Sequence, residues 1–406
     1  MTSPTAFQPR YARMTERLQA EDAQVWSVHE RALAMQREGI DVILLSVGDP
    51  DFRTPEPIID NAVSYLRVGR THYSPALGEL KLRRAVADLE TATSPQRCSV
   101  DEVAIFPGAT AAIHAVLSCL LDPGDEVVVP EPMYVGYRPI IRALDARLRS
   151  VPMLASRDFA LDLDAIMAAV SPATRVVFIN TPGNPTGSII PRDVIRELAA
   201  FCRERDLWLL CDEVYSMFCY EGQHLSARAS AAMLDNVVMV DGLSKSHAMS
   251  GWRIGWVVAP PRLIERLGDY AAATLFGCPQ FIQDASAFAL ENDQAYVAAM
   301  RDEYRQRRDF VMERLAGVPG LRCFRPRAGM FIMCDVSATG LDGTSFAHAL
   351  LEEHGVSVIP GSAFGPTTAN FVRIGLAQDR GHLGRACQRI GEFCGRALTA
   401  TRSAAP

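Results

Sequence analysis

Short apolar runs alternate with amphipathic segments through the middle of the chain, from about residue 100 to residue 260. The runs are almost uniformly apolar, which is typical of strands that are buried on both faces of a sheet. The segments between them have the apolar spacing of helices. This alternation indicates βαβ units and a mainly parallel sheet. The predicted strands are 103–106, 125–130, 175–180, 207–212, 236–241 and 254–259, and the clearest helices between them are 111–121 and 194–206.

The two ends of the chain depart from this pattern. The first 45 residues are polar with helical spacing, and they show no sheet pattern. A long charged amphipathic helix is predicted from about 295 to 317, where Gly317 ends it. It leads into a second α/β segment that contains the apolar runs GMFIMCDV, GVSVIPG and FVRIGLA.

Composition and charge exclude several classes of protein. The 406 residues are 49% hydrophobic and 22% charged, which is ordinary for a globular enzyme. A net charge of −6 without a basic block predicts no nucleic-acid partner and no membrane-surface partner. The apolar runs are of strand length, and the N-terminus has no signal-peptide pattern. Ten scattered cysteines without metal-ligand or disulfide spacing predict free thiols, no metal site and a cytoplasmic location.

Three polar clusters follow predicted strands. TPGNPTG follows the strand ending at 180, DEVYS the strand ending near 212, and GLSK the strand ending at 241. Ligands of open α/β sheets bind beyond the carboxyl ends of the strands, so the three clusters predict one composite site. The sequence contains no glycine fingerprint for a dinucleotide and no P-loop, which disfavours both kinds of nucleotide site.

Lysine is almost absent from the chain. The only two are Lys81 and Lys245, whereas 39 of the 41 basic residues are arginine. Lysine can lose its proton and attack a carbonyl, which arginine cannot do. A surface lysine at a strand exit is the alternative interpretation, but the scarcity of lysine and the neighbouring residues favour a nucleophile at Lys245. Lys81 lies in a helix-like segment and is expected at the surface.

The neighbours of Lys245 suggest what it reacts with. Ser244 and Arg253 suit a phosphate, and so does the helix start at PGATAAI. Asp212, at the end of a buried strand, needs a cation or a strong donor as its partner. Considered alone, Asn184 could belong to a turn with no binding role, and PGATAAI could be an ordinary helix start. An aldehyde, a phosphate and a protonated ring nitrogen together describe pyridoxal 5′-phosphate (PLP).

The motifs resemble those of class I/II aminotransferases of fold type I over essentially the whole chain. They occur in family order and form a highly specific set. LLSVGDPDF, EPMYVGY, DEVYS, LSKSHAMSGWRIGWVV and HGVSV are similar to the arginine–pyruvate aminotransferase group. The motifs are SVGDPDF (46–52), THYSPALG (71–78), PGATAAI (107–113), EPMYVGY (131–137), TPGNPTG (181–187), DEVYS (212–216), GLSKSHAMSGWRIGW (242–256) and FVRIGLA (371–377).

The resemblance implies an α/β fold with a mainly parallel seven-stranded sheet between helices and a smaller α/β domain from both chain ends. We expect residues 1–50 to be an N-terminal helical segment joining the small domain. Residues 51–295 would form the large cofactor-binding domain, and residues 296–406 the C-terminal small domain. It also implies a homodimer with shared active sites, in which Tyr73 reaches the phosphate of the neighbouring subunit.

The resemblance further implies a role for each matching site residue. Lys245 would hold the cofactor covalently and move the proton, and Asp212 would keep the ring nitrogen protonated. Tyr215 and Asn184 would bind the 3′-oxygen of the cofactor. Arg373 would grip the substrate α-carboxylate, assisted by Asn184 and the Gly48 backbone. The remaining cofactor contacts are the stacking ring of Tyr134 and the phosphate ligands Ala109, Thr110, Ser244 and Arg253.

Two positions depart from relatives. Gly242 stands where many relatives carry a serine, so one hydroxyl that could bind the phosphate is missing. Its loss would weaken cofactor binding by about 1 kcal/mol. Thr110 stands where some aspartate and prephenate aminotransferases place a lysine for the distal carboxylate, which lowers the expectation of a dicarboxylate substrate. Asp49 and Glu131 belong to motifs of relatives with other substrates and are expected to be structural.

The predicted function is PLP-dependent transamination of an L-amino acid with a 2-oxo acid such as pyruvate. Arginine is one candidate donor, and aspartate, aromatic and other neutral amino acids are the alternatives. A PLP-dependent C–S lyase or decarboxylase on the same fold remains a competing interpretation. A cofactor-binding regulator is disfavoured, because the residues before the first motif contain no clear helix-turn-helix.

Overall fold

A seven-stranded mixed sheet forms the centre of the protein. The computed structural model describes residues 10–19, 26–292 and 294–404; the other predicted N-terminal positions, 1–9 and 20–25, lie outside them. The strand order is β2-β8-β7-β6-β5-β3-β4, and only β8 runs antiparallel to its neighbours. The mainly parallel sheet predicted from the sequence is therefore confirmed. Its strands are β2 (Val103–Phe106), β3 (Glu126–Glu131), β4 (Arg147–Pro152), β5 (Thr174–Asn180), β6 (Trp208–Asp212), β7 (Val237–Gly242) and β8 (Gly255–Val258).

Helices cover both faces of this sheet. One face packs on α5, α6 and α11, and the other packs on α4, α7, α8 and α12. The strands are apolar at nearly every position because both of their faces are buried. The helices are α3 (Glu56–Arg67), α4 (Leu80–Thr93), α5 (Ala109–Leu120), α6 (Tyr137–Ala143), α7 (Leu163–Ala169), α8 (Arg192–Glu204), α9 (Ala227–Ser230), α10 (Leu243–Ser246), α11 (Pro261–Thr274) and α12 (Gln280–Asn292).

Strand β4 was not predicted from the sequence. It has the sequence RLRSVP, lies at one edge of the sheet and buries only Val151. Its arginines approach Glu126 of the neighbouring strand, with N–O distances of 3.7 Å for Arg147 and 3.8 Å for Arg149. An edge strand that is exposed on most of its length does not carry the apolar run by which the other strands were recognised.

The C-terminal third forms a second layer together with the N-terminal segment. Its four-stranded antiparallel sheet has the order β12-β13-β10-β9, and the short strands β1 and β11 pair in parallel. The elements are α1 (Arg13–Gln19), α2 (Ser27–Arg37), β1 (Ile43–Leu44), α13 (Gln294–Leu315), β9 (Arg322–Phe324), β10 (Phe331–Asp335), α14 (Gly343–His354), β11 (Val356–Ser357), β12 (Ile359–Pro360), β13 (Phe371–Gly375) and α15 (Arg380–Ala404).

One hydrophobic core joins the two chain ends. Val28 and Ala32 of α2 pack in the same cluster as residues of β10, β13, α14 and α15. The predicted long helix is α13, and Gly317 follows it with φ of +73°. Because α13 begins at Gln294, it spans the predicted boundary at residue 295. These contacts support our proposal that a smaller domain is built from both ends of the chain.

Candidate active site

A cavity of about 360 Å³ lies at the carboxyl ends of the parallel strands. A larger open groove of about 820 Å³ elsewhere on the surface contains none of the predicted residues. Size therefore does not identify the site, whereas the convergence of functional side chains does. Eleven of the predicted site residues line the smaller cavity: Gly48, Ala109, Thr110, Tyr134, Asn184, Asp212, Tyr215, Ser244, Lys245, Arg253 and Arg373.

Lys245 lies in α10, one short turn after β7. Its Nζ donates a hydrogen bond of 2.7 Å to the backbone oxygen of Gly48. Burial lowers the pKa of the Lys245 amine, while the nearby carboxylate of Asp49 opposes this effect. Arg373 and Arg253 lower the pKa further. A lowered pKa increases the neutral, nucleophilic fraction of the amine.

Asp212 ends β6 at the floor of the cavity. Its Oδ2 accepts a hydrogen bond of 2.6 Å from the hydroxyl of Tyr137, and its Oδ1 accepts one of 3.2 Å from the backbone of Val214. Burial raises the pKa of Asp212 to about 6, although these two donors act in the opposite direction. The carboxylate is thus ionised near neutral pH and strongly favours a cationic partner.

Another part of the cavity wall can bind an anion. Helix α5 begins at Ala109 beside Ser244 and Arg253, and its first N–H groups have no partner within the helix. A Cβ at Gly108 would lie 2.5 Å from Nη2 of Arg253, and a Cβ at Gly255 only 2.6 Å from the nitrogen of Ala109. Glycines therefore permit the helix start and the guanidinium to meet.

Arg373 of β13 faces the cavity from the smaller sheet. It donates to Oδ1 of Asn184 at 2.9 Å and to the backbone oxygen of Ser46 at 2.8 Å. Its guanidinium lies 3.9 Å from the ring centroid of Phe331. Burial lowers its pKa to about 10, and Nε has no hydrogen-bond partner among the described residues. A buried guanidinium without a carboxylate partner is suited to bind the carboxylate of a ligand.

Asn184 and Tyr215 approach each other beside Arg373. The amide of Asn184 hydrogen-bonds the hydroxyl of Tyr215, and burial raises the pKa of that phenol. The backbone nitrogen of Asn184 donates to Oδ1 of Asn180 at 2.7 Å, which holds the TPGNPTG turn against β5. Together the two polar side chains can bind one oxygen of a ring ligand.

Comparisons with known proteins show the family to which the chain belongs. Residues 40–390 match the family model for aminotransferase class I and II. The arginine–pyruvate transaminase AruH of Pseudomonas aeruginosa is 44% identical over 381 residues, 94% of this chain and 97% of that protein. The chain belongs to the class I and II aminotransferases. The resemblance inferred from the motifs is confirmed.

Solved structures of other aminotransferases share the fold. The Thermus thermophilus aspartate aminotransferase with maleate has a TM-score of 0.90 at 31% identity, covering 95% of this chain and 100% of that one. The aromatic aminotransferase from Pyrococcus horikoshii has a TM-score of 0.84 at 35% identity, covering 91% and 99%. The predicted fold is therefore confirmed, and the chain is a PLP-dependent aminotransferase by family.

Tyr73 does not line the cavity of its own subunit in this aminotransferase. Its side chain is 81% exposed, and its ring lies 5.1 Å from that of Phe276. The structure thus leaves its predicted role at the phosphate of a neighbouring subunit as a prediction.

Gly242 is packed too closely against backbone to leave room for a side chain, which the sequence does not reveal. It pairs with Gly255 across strands β7 and β8. A Cβ at position 242 would lie 2.7 Å from the backbone oxygen of Ile254 and 3.0 Å from Cα of Gly255. The aminotransferase therefore has no room for a serine hydroxyl here unless strand β8 moves.

The sequence motifs assign no role to several residues of this site, of which three contact its functional side chains or line its wall. Tyr137 lies within EPMYVGY, three positions after Tyr134, but its contact with Asp212 is not evident from the motif. Ser46, whose backbone holds Arg373, had no signal because backbone contacts are independent of residue type. Asp49 was expected to be structural, yet it is an exposed residue of the cavity wall.

Glu131 binds Arg138 and Thr367, which suits the structural role expected of it.

Proposed function

We propose that this aminotransferase binds PLP through Lys245 and transfers the amino group of arginine to pyruvate. The observation that carries the proposal is the position of Lys245 and Arg373 in one cavity. Ser46 and Gly48, two residues apart, accept hydrogen bonds from these two cations. A substrate whose carboxylate binds Arg373 therefore presents its α-carbon to the amine of Lys245.

The residues fit the cofactor in three ways. Asp212 is a buried carboxylate that two donors keep ionised near neutral pH. A Cβ at Gly108 would meet the guanidinium of Arg253, so this glycine allows Arg253 to lie beside the start of α5, and both can donate to a phosphate. Lys245 has a lowered pKa and is one of only two lysines in the chain.

When bound, PLP supplies an aldehyde for the substrate amine and a protonated ring that withdraws electrons from the substrate α-carbon. Asp212 holds the proton on the ring nitrogen. The amine of Lys245 would take the proton from the substrate α-carbon and donate it to the cofactor. Arg373 would bind the α-carboxylate bidentately with Asn184 beside it. Tyr134 would cover the ring, while Tyr215 and Asn184 would bind its 3′-oxygen.

Arginine is supported as the donor by the similarity to the arginine–pyruvate transaminase of Pseudomonas aeruginosa. The positive charges of the cavity also disfavour a dicarboxylate donor. Its described cations are Lys245, Arg253 and Arg373, each assigned above to the cofactor or the α-carboxylate, so none remains for a distal carboxylate. Aspartate and aromatic amino acids remain the alternatives, because other relatives carry those names.

A homodimer and a cytoplasmic location complete the proposal. Tyr73, Phe276 and Val68 are 81%, 59% and 72% exposed, which is unusual for large apolar side chains. A second copy would cover them and bring Tyr73 to its phosphate site. All ten cysteines are free, as in a reducing compartment. No helix within the described residues has the length and apolarity to span a membrane.

A panel of amino acids mixed with the pyridoxal form tests this function. Conversion to the pyridoxamine spectrum should be fastest with arginine, and pyruvate should restore the starting spectrum. If conversion is faster with aspartate or phenylalanine, that amino acid is the preferred donor and the assignment of arginine is wrong. Release of ammonia without any 2-oxo acid would identify a lyase instead.

A further inference from the structure

Both functional cations of the cavity hydrogen-bond to the segment Ser46-Val47-Gly48. Arg373 donates to the oxygen of Ser46 at 2.8 Å, and Lys245 donates to the oxygen of Gly48 at 2.7 Å. A displacement of this segment would therefore move the anchor of the substrate and the reacting amine relative to each other. What fixes the segment is thus relevant to catalysis.

The side chain of Ser46 is fixed by two partners. Its Oγ receives a hydrogen bond of 2.7 Å from the hydroxyl of Ser357 and lies 2.9 Å from Nδ1 of His29. Ser46 and Ser357 are fully buried, so no water competes for these contacts. His29 comes from α2, which is separate from every element that carries Lys245, Asp212 or Arg373.

The donor in the hydrogen bond between Ser46 and His29 follows from the other partner of Ser46. Ser46 accepts a hydrogen bond from the hydroxyl of Ser357, so its own hydroxyl can donate to His29. Burial lowers the pKa of His29, which keeps its imidazole neutral with Nδ1 as an acceptor. The chain of hydrogen bonds therefore runs from Ser357 through Ser46 to His29.

We propose that His29 is a positioning residue for transamination, acting through Ser46 on Arg373. The inference rests on the carboxylate-binding role of Arg373 proposed above. Trp26 immediately precedes α2 and lines the cavity, with its ring centroid 6.1 Å from that of His29. The docking of α2 thus links one wall of the substrate cavity to the anchor of the substrate carboxylate.

Three variants of the holoenzyme test the proposal. His29→Ala removes the acceptor, and the KM values for the amino acid and the 2-oxo acid should both rise about five- to tenfold, the effect of one lost hydrogen bond. The kcat should change less than about twofold, because the lost contact lies at Ser46 and Lys245 keeps its hydrogen bond to Gly48. His29→Asn places an amide oxygen at the position of Nδ1 and should restore both KM values. Ser46→Ala should raise them as His29→Ala does.

The double variant separates coupling from general damage. If His29 acts through Ser46, adding His29→Ala to Ser46→Ala should cause little further change. Arg37→Ala, at the other end of α2, is the matched control and should leave both KM values unchanged. Unchanged KM values in His29→Ala, failure of His29→Asn to restore them, or independent effects in the double variant would each overturn the proposal.

The wild-type enzyme distinguishes failure of this inference from failure of the proposed function. If none of the amino acids converts the pyridoxal form of the wild-type enzyme to the pyridoxamine form, the proposed function is wrong. If it converts normally while His29→Ala keeps wild-type KM values, only the positioning role is wrong.

Discussion

The hydroxyl of Tyr137 donates a hydrogen bond of 2.6 Å to Oδ2 of Asp212 at the floor of the cavity. Tyr137 is fully buried, with its ring centroid 4.3 Å from that of Phe178 and 5.4 Å from that of Tyr134. Its hydrogen bond stabilises the ionised form of Asp212, because it lowers a pKa that burial raises. Tyr137 therefore helps Asp212 to remain a partner for the cofactor ring.

Replacing Tyr137 by phenylalanine should weaken catalysis at low pH most strongly. The loss of the donor raises the pKa of Asp212 further above its present value of about 6, so more of the carboxyl is protonated near neutral pH. The acidic limb of the kcat profile should move to higher pH by about one unit, the equivalent of a hydrogen bond of about 1.4 kcal/mol. Tyr220→Phe, which removes a hydrogen-bonded, part-buried tyrosine hydroxyl elsewhere, is the control and should leave the profile in place.

Arg373→Lys should raise the KM for amino acids and 2-oxo acids alike. Lysine keeps the charge but cannot form the two parallel hydrogen bonds of a guanidinium with a carboxylate. We expect kcat/KM to fall roughly 10- to 100-fold for both substrates, the range for a hydrogen bond to a charged group. Steady-state kinetics of both half-reactions provide the measurement, and a change confined to one substrate would contradict the carboxylate role.

Glu90→Gln should stabilise the protein at alkaline pH. Burial raises the pKa of Glu90 from 4.5 to about 8, and its Oε2 has no hydrogen-bond partner among the described residues. The folded state therefore holds a proton that the unfolded state has lost, so this contribution to stability declines as pH rises from 4.5 to about 8. Glutamine does not titrate, and its advantage should grow across that range by at most about 1.4 kcal/mol per pH unit.

The free energy of unfolding in urea at several pH values measures this effect. Asp88→Asn, on the exposed side of the same helix, is the matched control and should show no such trend. A difference between Glu90→Gln and wild type that does not depend on pH would show that Glu90 is already ionised in the folded protein.

Gly242→Ser should impair the enzyme, although the added hydroxyl would offer the phosphate another donor. The added Cβ would meet the backbone of strand β8, which also supports the start of α5 at the phosphate site. Overpacking of this kind costs about 1–3 kcal/mol. We expect a lower melting temperature and weaker cofactor retention on dialysis. Tighter retention would show that the strands adjust and that the serine hydroxyl reaches the phosphate.

The sequence predicted the central sheet because most of its strands are buried on both faces and are therefore apolar throughout. Strand β4 lacked that signal, since its arginines face solvent and Glu126. The reacting residues could be predicted because each carries distinctive chemistry in a recognisable motif. Tyr137 and Ser46 could not, because their roles arise from contacts with Asp212 and Arg373 that only the tertiary structure brings about.

The steric reason for Gly242 was also beyond the sequence. The sequence shows only that residue 242 carries no hydroxyl, whereas the structure shows backbone close to the position that a Cβ would occupy. Similarly, Asp49 looked structural within its motif, but it forms part of the cavity wall and acts on the pKa of Lys245.

The covalent role of Lys245 is the central claim, and peptide mapping after borohydride reduction tests it most directly. Reduction fixes the cofactor to the amine that holds it, and trypsin does not cleave at a lysine modified in this way. The chain has only two lysines, so the two possible products are distinct. We predict that the cofactor is found on the uncleaved peptide of residues 229–253, and that Lys245→Ala traps none and completes no transamination cycle. Cofactor on a peptide containing Lys81, or full turnover by Lys245→Ala, would contradict the account.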